Sequence, residues 1–584
     1  MKIKSLLIKN YRQLDNTSFL FNDTSNYLVG KNNIGKTSTL KLIEILLTGK
    51  NFQLKDFNDP TRPIKIKMKL KISEDETGIF EDNFSPENAN EIVIDFSQED
   101  PDSPLIAKHS DTDSDIRTYS LKQSNYIAYS SNIRPIREND LVEEYGSYKL
   151  IPEIVNYYIS NHDGLTLEKT TNDDDLIYFV NEELKKIKPF KESNVSVDFS
   201  DNYKEFVDKA LILKDKKGIG FSKLGFGIQF SSLIPLIIID KIIQWKRYKK
   251  IDNHLIVNSE NEKCLHIILS VDEPEVHLHP NLQLKLINYI RKLLNGKDSD
   301  FNSLIKDLFG IDKIVGQLFV VTHSPSILPN DYRKLSRLTV KDGKVIVASG
   351  ESLHLDTQEE KQLNRLLPYV ASALFADNVI LVEGDTEESA LKVFAKKLNI
   401  DLVDNNTNII KADGIKNIFP LAKLFNEFKI NNVSIIDSDG KSYKQIIDDN
   451  LKGKEKNKPE NLYITTKKDF EYEAYAAMNL VNINKYLHDF EEQINNNIYN
   501  GSFWFKYLDK DSILSASDKT DEISKQLNSL SEDEKIKIKS EIKKKLMAKN
   551  CFFKKKSILN GKIIAENIDK VPDVYKKAIR KAVN

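Results

Sequence analysis

GKNNIGKT, residues 30–37, decides the first half of this chain. It fits G-x-x-x-x-G-K-[ST], and its surroundings suit the motif. Tyr27–Val29 is a short apolar strand before it, and Thr37–Leu47 carries apolar residues at helical spacing after it. A glycine-rich loop between strand and helix turns backbone N–H groups and the positive end of a helix toward phosphates. In this reading Gly30, Asn33, Gly35 and Ser38 cradle the phosphates, Lys36 reaches the β/γ-phosphates, and the Thr37 hydroxyl ligates Mg²⁺. The bound group is ATP with Mg²⁺.

The partner motif lies 242 positions on (272 − 30), where Leu265–Val271 (LHIILSV) ends in Asp272-Glu273. Asp272 would hold the Mg²⁺ shell, and Glu273 would polarise the attacking water. Gln317–Val321 is a further strand, ending in Thr322-His323, where His323 could sense the γ-phosphate. A glycine-rich stretch, Leu224–Gln229 (LGFGIQ), precedes an apolar helical run at Phe230–Ile243. Gly225 and Gly227 there would let backbone approach a phosphate. Either that, or the stretch is only a glycine-rich helix entry.

A second motif set follows. Asn378–Val382 (NVILV) is a short strand ending in Glu383-Gly384, and Asp385–Leu398 reads as a helix with Glu387 in its first turn. Another strand, Asn432–Ile436, ends in Asp437-Ser438-Asp439. A period of two would put Asp437 and Asp439 on one face. Carboxylates from adjacent strand ends hold hard divalent cations, Mg²⁺ or Mn²⁺, and a pair of such ions suits phosphodiester cleavage.

Bulk properties bound these readings. A chain of 584 residues calls for two or three domains. A formal net charge of −1 leaves nucleic-acid contact to local patches. Two cysteines, Cys264 and Cys551, suit a reducing cytoplasm rather than a disulfide framework. The start, MKIKSLLIKNYRQL, alternates like a strand and lacks a signal-peptide core; the longest apolar stretch, Leu233–Ile239, is too short to span a bilayer. None of the 23 tyrosines sits in a topoisomerase-like context, and no CxxC suggests a primase zinc module.

These motifs carry a resemblance. Asp272–Pro280 (DEPEVHLHP), VVTHSPS around His323 and the N-terminal IKNYRQL resemble the ABC-type ATPase heads of RecF-like and SMC-like proteins. That implies Arg12 near the nucleotide and LGFGIQ as a signature loop, which lacks the serine of LSGGQ and would act across a homodimer or higher oligomer. E-G-x-T-E followed by D-x-D resembles a TOPRIM signature. An ABC head followed by TOPRIM resembles the overcoming-lysogenization-defect (OLD) nucleases, a family that includes the Gabija nuclease subunits and retron-associated members. The resemblance implies an α/β chain in three parts. These are an ATPase head at 1–365 with an insertion at about 150–215 (dimerisation being one role), a TOPRIM domain at 366–480, and a helical extension at 481–584 completing the nuclease site.

It further implies that Glu383, Glu387, Asp437 and Asp439 hold metal, with Glu471 of KDFEYE as a further ligand and Glu473 its competitor. Lys411–Asn417 (KADGIKN) would be the loop between TOPRIM strands, and Lys562 of SILNGKIIAENI would stabilise phosphate charge. The function implied is an ATP-regulated, metal-dependent DNA endonuclease of antiphage defence, with DNA as partner and a helicase-like or retron RNA–DNA component as a second. The alternative is a RecF-like repair ATPase whose TOPRIM domain only binds DNA. Residues 97–115 read as an acidic loop, and the lysines of Lys535–Lys556 read as a solvated helix face in i, i+3 or i, i+4 pairs with Glu541 or Glu534.

Overall fold

The computed structural model describes residues 1–80, 90–130, 150–161, 173–199, 211–217, 226–248, 251–276, 278–451, 458–494, 503–549 and 551–583. They form two compact units, Met1–Ser352 and Leu353–Asn584.

The first unit holds a five-stranded antiparallel sheet in the order Thr17–Leu20, Lys2–Lys9, Ile64–Lys71, Glu91–Gln98, Ile106–His109. Strict alternation drives it: in Ile64–Lys71 (IKIKMKLK) Ile64, Ile66, Met68 and Leu70 are buried and the lysines face outward. A register shift between Ile3 and Ser5 lets Ile3, Leu6 and Ile8 all point inward despite their uneven spacing. The stretch 97–115, expected as a loop, contains the strand Ile106–His109, and His109 is buried with Nε2 2.8 Å from Phe80 O.

A seven-stranded sheet carries the phosphate chemistry. Lys263–Asp272, Lys313–Val321, Ser25–Val29 and Leu335–Lys341 lie side by side and parallel, with Tyr126–Ser130 also parallel to Lys263–Asp272. The residues following Val29, Asp272 and Val321 therefore emerge on one edge. Lys344–Ser349 closes the sheet through a turn at Asp342-Gly343, where both residues have positive φ. The insertion comprises helices Leu150–Ser160, Asp173–Lys185 and Lys188–Ser193 and a two-stranded sheet, Ser196–Phe199 with Leu211–Lys214. Helix Phe226–Arg247 begins before the Phe230 expected, so Gly227 lies in its first turn; Gly225 lies outside the described residues.

The second unit is built on a four-stranded parallel sheet in the order Thr407–Lys411, Asn378–Val382, Asn431–Ile436, Leu462–Ile464. Sequence order reverses between Asn378–Val382 and Asn431–Ile436, the crevice where open α/β sheets place ligands. The helices after residue 480 share the sheet's core: Phe394, Phe470, Tyr486, Trp504, Phe552 and Tyr575 belong to one buried cluster. Gly561 permits the tightest approach. A Cβ there would stand 2.2 Å from Thr386 O, so helix Ile558–Glu566 can press against helix Asp385–Lys397. Among the described residues, no helix is long and apolar enough to cross a membrane.

Candidate nucleotide and carboxylate sites

In the first unit, Gly35 (φ +104) turns the loop into helix Lys36–Thr48. Asn33, Gly35, Lys36, Thr37, Ser38 and His323 help line a cavity of about 870 Å³. Lys36 Nζ donates to Gly30 O at 2.8 Å and Lys31 O at 2.6 Å, and Thr37 Oγ1 donates to Asp272 Oδ1 at 3.2 Å. Burial holds the Lys36 ammonium down to about 8 and pushes the Asp272 carboxyl up to about 6. Glu273, at φ +50, faces His323 across 3.7 Å, and burial with the Lys36 charge lowers the His323 imidazole.

Arg12 is not a lining residue. Its Nε and Nη2 donate to Asp56 Oδ1 at 2.9 and 2.7 Å, and its Nη1 donates to Ser38 Oγ at 3.1 Å, so it braces the loop from behind. Glu275 went unread in the sequence. Its Oε1 accepts from Thr322 Oγ1 at 3.0 Å and His323 N at 2.5 Å, and its buried Oε2 has no partner. The signal was its place in DEPEVH, two residues after Glu273.

In the second unit, five acidic side chains converge from three segments. Glu383 follows the first strand and accepts from Asp437 N at 2.8 Å, which ties the two strand ends together. Glu387, Asp437, Asp469 and Glu471 are all buried, Glu471 to 1% exposure. Burial, then Glu387 and Glu383, push the Asp437 carboxyl up to about 9. Burial likewise pushes Glu383 and Glu471 to about 7 and raises Glu387. Both Glu471 oxygens lack a hydrogen-bond partner. A buried carboxyl without donors is costly, and a hard cation is the group that satisfies such a set. The donor chemistry therefore suits divalent metal, although among the described residues no three of these carboxylates bring oxygens within 4.8 Å of one another, so a bound ion would have to draw them together.

Among the described residues, Lys556 faces them. Lys556 Nζ lies 3.8 Å from Glu471 Oε2; although burial opposes its charge, Glu471, Asp437, Asp469 and Glu387 hold its ammonium above the usual range. The expectation of Lys562 is corrected here. That side chain pairs with Glu566 at 3.7 Å on its own helix and is not among the charges acting on the carboxylates, whereas Lys556, itself 60% exposed, is. The same-face expectation for Asp437 and Asp439 also fails: the strand stops at Ile436, and Asp439 is exposed at φ +47 with its N–H on Lys468 O at 2.7 Å. A turn has no period of two. Asp439 still adds to the field on Glu383.

Between Glu471 and Glu473 the geometry chooses. Glu473 Oε1 accepts from Lys467 N at 2.8 Å, Thr466 Oγ1 at 2.6 Å and Thr466 N, so it fastens a loop. Lys411 pairs with Asp385 at 2.9 Å, and Asn417 Nδ2 donates to Ala412 O at 2.8 Å, giving KADGIKN a bracing role. Asp469 was inside the quoted KDFEYE but not singled out; an aspartate before a helix reads as a cap, and it does accept from Tyr472 N at 3.1 Å. The tail lysines pair differently from expectation: Glu541 binds Lys506 at 3.0 Å, while Glu534 caps Ser531. Lys543 and Lys468 instead lie over the Tyr472 ring at 4.6 and 5.8 Å.

Comparison with known proteins gives matches in both units. The AAA ATPase domain family matches residues 1–186 and 148–328, and the family described as overcoming lysogenization defect protein-like, TOPRIM domain, matches residues 374–439. Endonuclease GajA of Bacillus cereus (strain HuB5-5) is 26% identical over 403 residues, covering 62% of this chain and 52% of its own length. Old nuclease of Escherichia phage P2 is 24% identical over 495 residues, 75% of this chain and 77% of its own. The chain thus spans about half the length of the first of these relatives. A solved Smc head bound to the C-winged helix domain of ScpA aligns over 61% of this chain and 99% of its own at 12% identity, with a TM-score of 0.35.

Proposed function

The chain belongs to the AAA ATPase domain family and joins that domain to an OLD-like TOPRIM domain, and we propose that it is a divalent-metal-dependent DNA endonuclease governed by ATP. One observation carries the reading: buried Glu387, Asp437 and Glu471 and half-buried Glu383 are gathered at the switch point of a parallel sheet, with Lys556 beside them. Pure DNA binding needs no buried, mutually repelling carboxylates, which disfavours the RecF-like repair alternative.

Bound divalent cations would supply Lewis-acid stabilisation of the phosphodiester and lower the pKa of the attacking water. The chain's own residues do the rest. Glu383, Asp437 and Glu471, with Glu387 and Asp469 close by, form the ligand set, and Asp439 extends it at the exposed rim. Lys556 offsets negative charge on the scissile phosphate. Lys468 and Lys543, fixed over Tyr472 on the helix that carries Glu471, offer positive charge to the DNA backbone nearby.

At the head, Lys36 and Thr37 take the nucleotide phosphates and Mg²⁺, Asp272 supports that Mg²⁺, and Glu273 orients water while His323 senses the γ-phosphate. Arg12 stiffens the loop through Ser38. Gly227 and Gly225 belong to a signature segment used by a second copy of the chain. The Gabija-type relative supports a role in antiphage defence, with a helicase-like or RNA–DNA second component.

The test is plasmid cleavage with Mg²⁺ or Mn²⁺, with and without ATP, comparing wild type with Glu383→Ala. Metal-dependent nicking or linearisation that the substitution removes supports the nuclease. ATP-dependent DNA binding with intact plasmid, under all these conditions, would return the lead to the repair ATPase.

A further inference from the structure

We propose that the first unit carries a second anion site, for a free tetrahedral oxyanion of the phosphate class, at the far end of the strand that feeds the P-loop. Ser25 opens that strand and Gly30 follows its end, a span of roughly 17 Å at about 3.3 Å per residue. A cavity of about 110 Å³ lies there, lined among others by Thr24, Ser25, Asn295, Arg291 and Lys334. It is far smaller than the 870 Å³ nucleotide cavity and suits a single oxyanion rather than a nucleotide.

Two cations share this small space with no carboxylate to spare between them. Arg291, on helix Pro280–Leu294, has no ion pair or hydrogen bond among the described residues. Asp331 stands 3.9 Å from Lys334 and is already held by Arg333 at 2.9 Å. Burial and the Arg291 charge together hold the Lys334 ammonium below its usual range. Complementing a helix C-terminus would account for Arg291 alone, but not for a second cation facing it. The wall adds a second signal: Ser25 is 1% exposed, and among the described residues its hydroxyl has only the buried Tyr27 hydroxyl, which the Arg291 charge also reaches, as a neighbour. Buried hydroxyls next to an unpaired Arg291 and a Lys334 that shares its one carboxylate with Arg333 are a donor set for an anion.

The assignment does not rest on the nuclease reading, and its test silences both other phosphate sites. The full chain carrying Lys36→Ala is titrated with inorganic phosphate in EDTA by calorimetry, with thermal unfolding in parallel. One saturable equivalent is expected. Arg291→Gln or Lys334→Gln should weaken it by about tenfold or more, the loss of one charge-assisted hydrogen bond, and Ser25→Ala by a few-fold. Since each charge removal relieves repulsion, Tm without phosphate should not fall, and the phosphate-induced rise in Tm should vanish. No saturable binding, binding undiminished in both glutamine variants, or a phosphate-independent fall in Tm in both would overturn the site. Displacement of phosphate by a 5′-phosphorylated oligonucleotide would overturn the free-anion assignment.

Discussion

At the nucleotide loop of the first unit, charge is already answered by the chain: Lys36 rests on two carbonyls and Thr37 on Asp272. In the carboxylate site of the second unit, Glu383, Glu387, Asp437, Asp469 and Glu471 face Lys556, and both Glu471 oxygens lack a hydrogen-bond partner. The contrast follows from the donors each uses. A P-loop borrows backbone N–H groups that any sequence supplies, so the loop is self-consistent before phosphate arrives. A carboxylate cluster has no donors of its own, and its folding free energy and its chemistry both depend on what binds.

The largest effect should come from crossing the two sites. Asp437→Ala should abolish plasmid cleavage and leave ATP binding intact, while Lys36→Ala should abolish ATP binding and leave the metal-induced rise in Tm intact. Cleavage surviving in Asp437→Ala and Glu383→Ala alike would break the comparison, since the carboxylates would then be structural. Next, Glu273→Gln should lower ATP turnover by about a hundredfold or more with nucleotide affinity retained. An unchanged steady-state rate would hand the water to another residue, with Glu275 the neighbour to test.

Within the second unit, Lys556→Ala should cost cleavage about tenfold or more, and Lys562→Ala less than about twofold, measured at saturating Mg²⁺. The reverse ranking would restore the sequence-based choice. The smallest effects are in stability. Glu473→Ala should destabilise by roughly 1–3 kcal/mol because it frees three donors, whereas Glu471→Gln should not destabilise the metal-free protein.

The buried acids also set a pH dependence. Folded Glu383 and Asp437 titrate near 7 and 9, above their ordinary 4.5 and 3.8, so between those values the folded state holds more protons than the unfolded one. Stability in EDTA should then fall as pH rises from about 4 to 9, and Mg²⁺ should flatten the slope. Trp504 fluorescence during urea unfolding, in a Trp245→Phe background, reads this unit. A rising slope in EDTA would show that the carboxylates are paired by the chain after all.

Residues adjacent in sequence were the legible ones. Gly30–Ser38 and Asp272-Glu273 could be assigned because strand, turn and helix N-terminus follow from local spacing. Glu383 and Asp437 were legible for the same reason, as the first residues past short apolar strands. Asp439 misled because a strand's period was carried three residues beyond the strand's end at Ile436, into a positive-φ turn. Lys562 misled because lysine is common in that segment and only the tertiary fold decides that Lys556, ahead of helix Ile558–Glu566, is the one that reaches Glu471. Arg12 was expected near the nucleotide; its guanidinium goes to Ser38 and to Asp56, a partner 44 positions away that no local pattern announces.

Taken by itself, the order of residues determined two α/β parts, a phosphate loop on one and strand-end carboxylates on the other, since these are matters of periodicity and short-range turn chemistry. Tertiary structure alone decided that Glu471 rather than Glu473 faces the cluster, that Asp469 and Lys556 join it, and that the helices after residue 480 complete its core. Those choices turn on which side chain is buried without a donor and which surrenders its oxygens to a loop. Burial and hydrogen-bond competition are set by segments far apart in sequence.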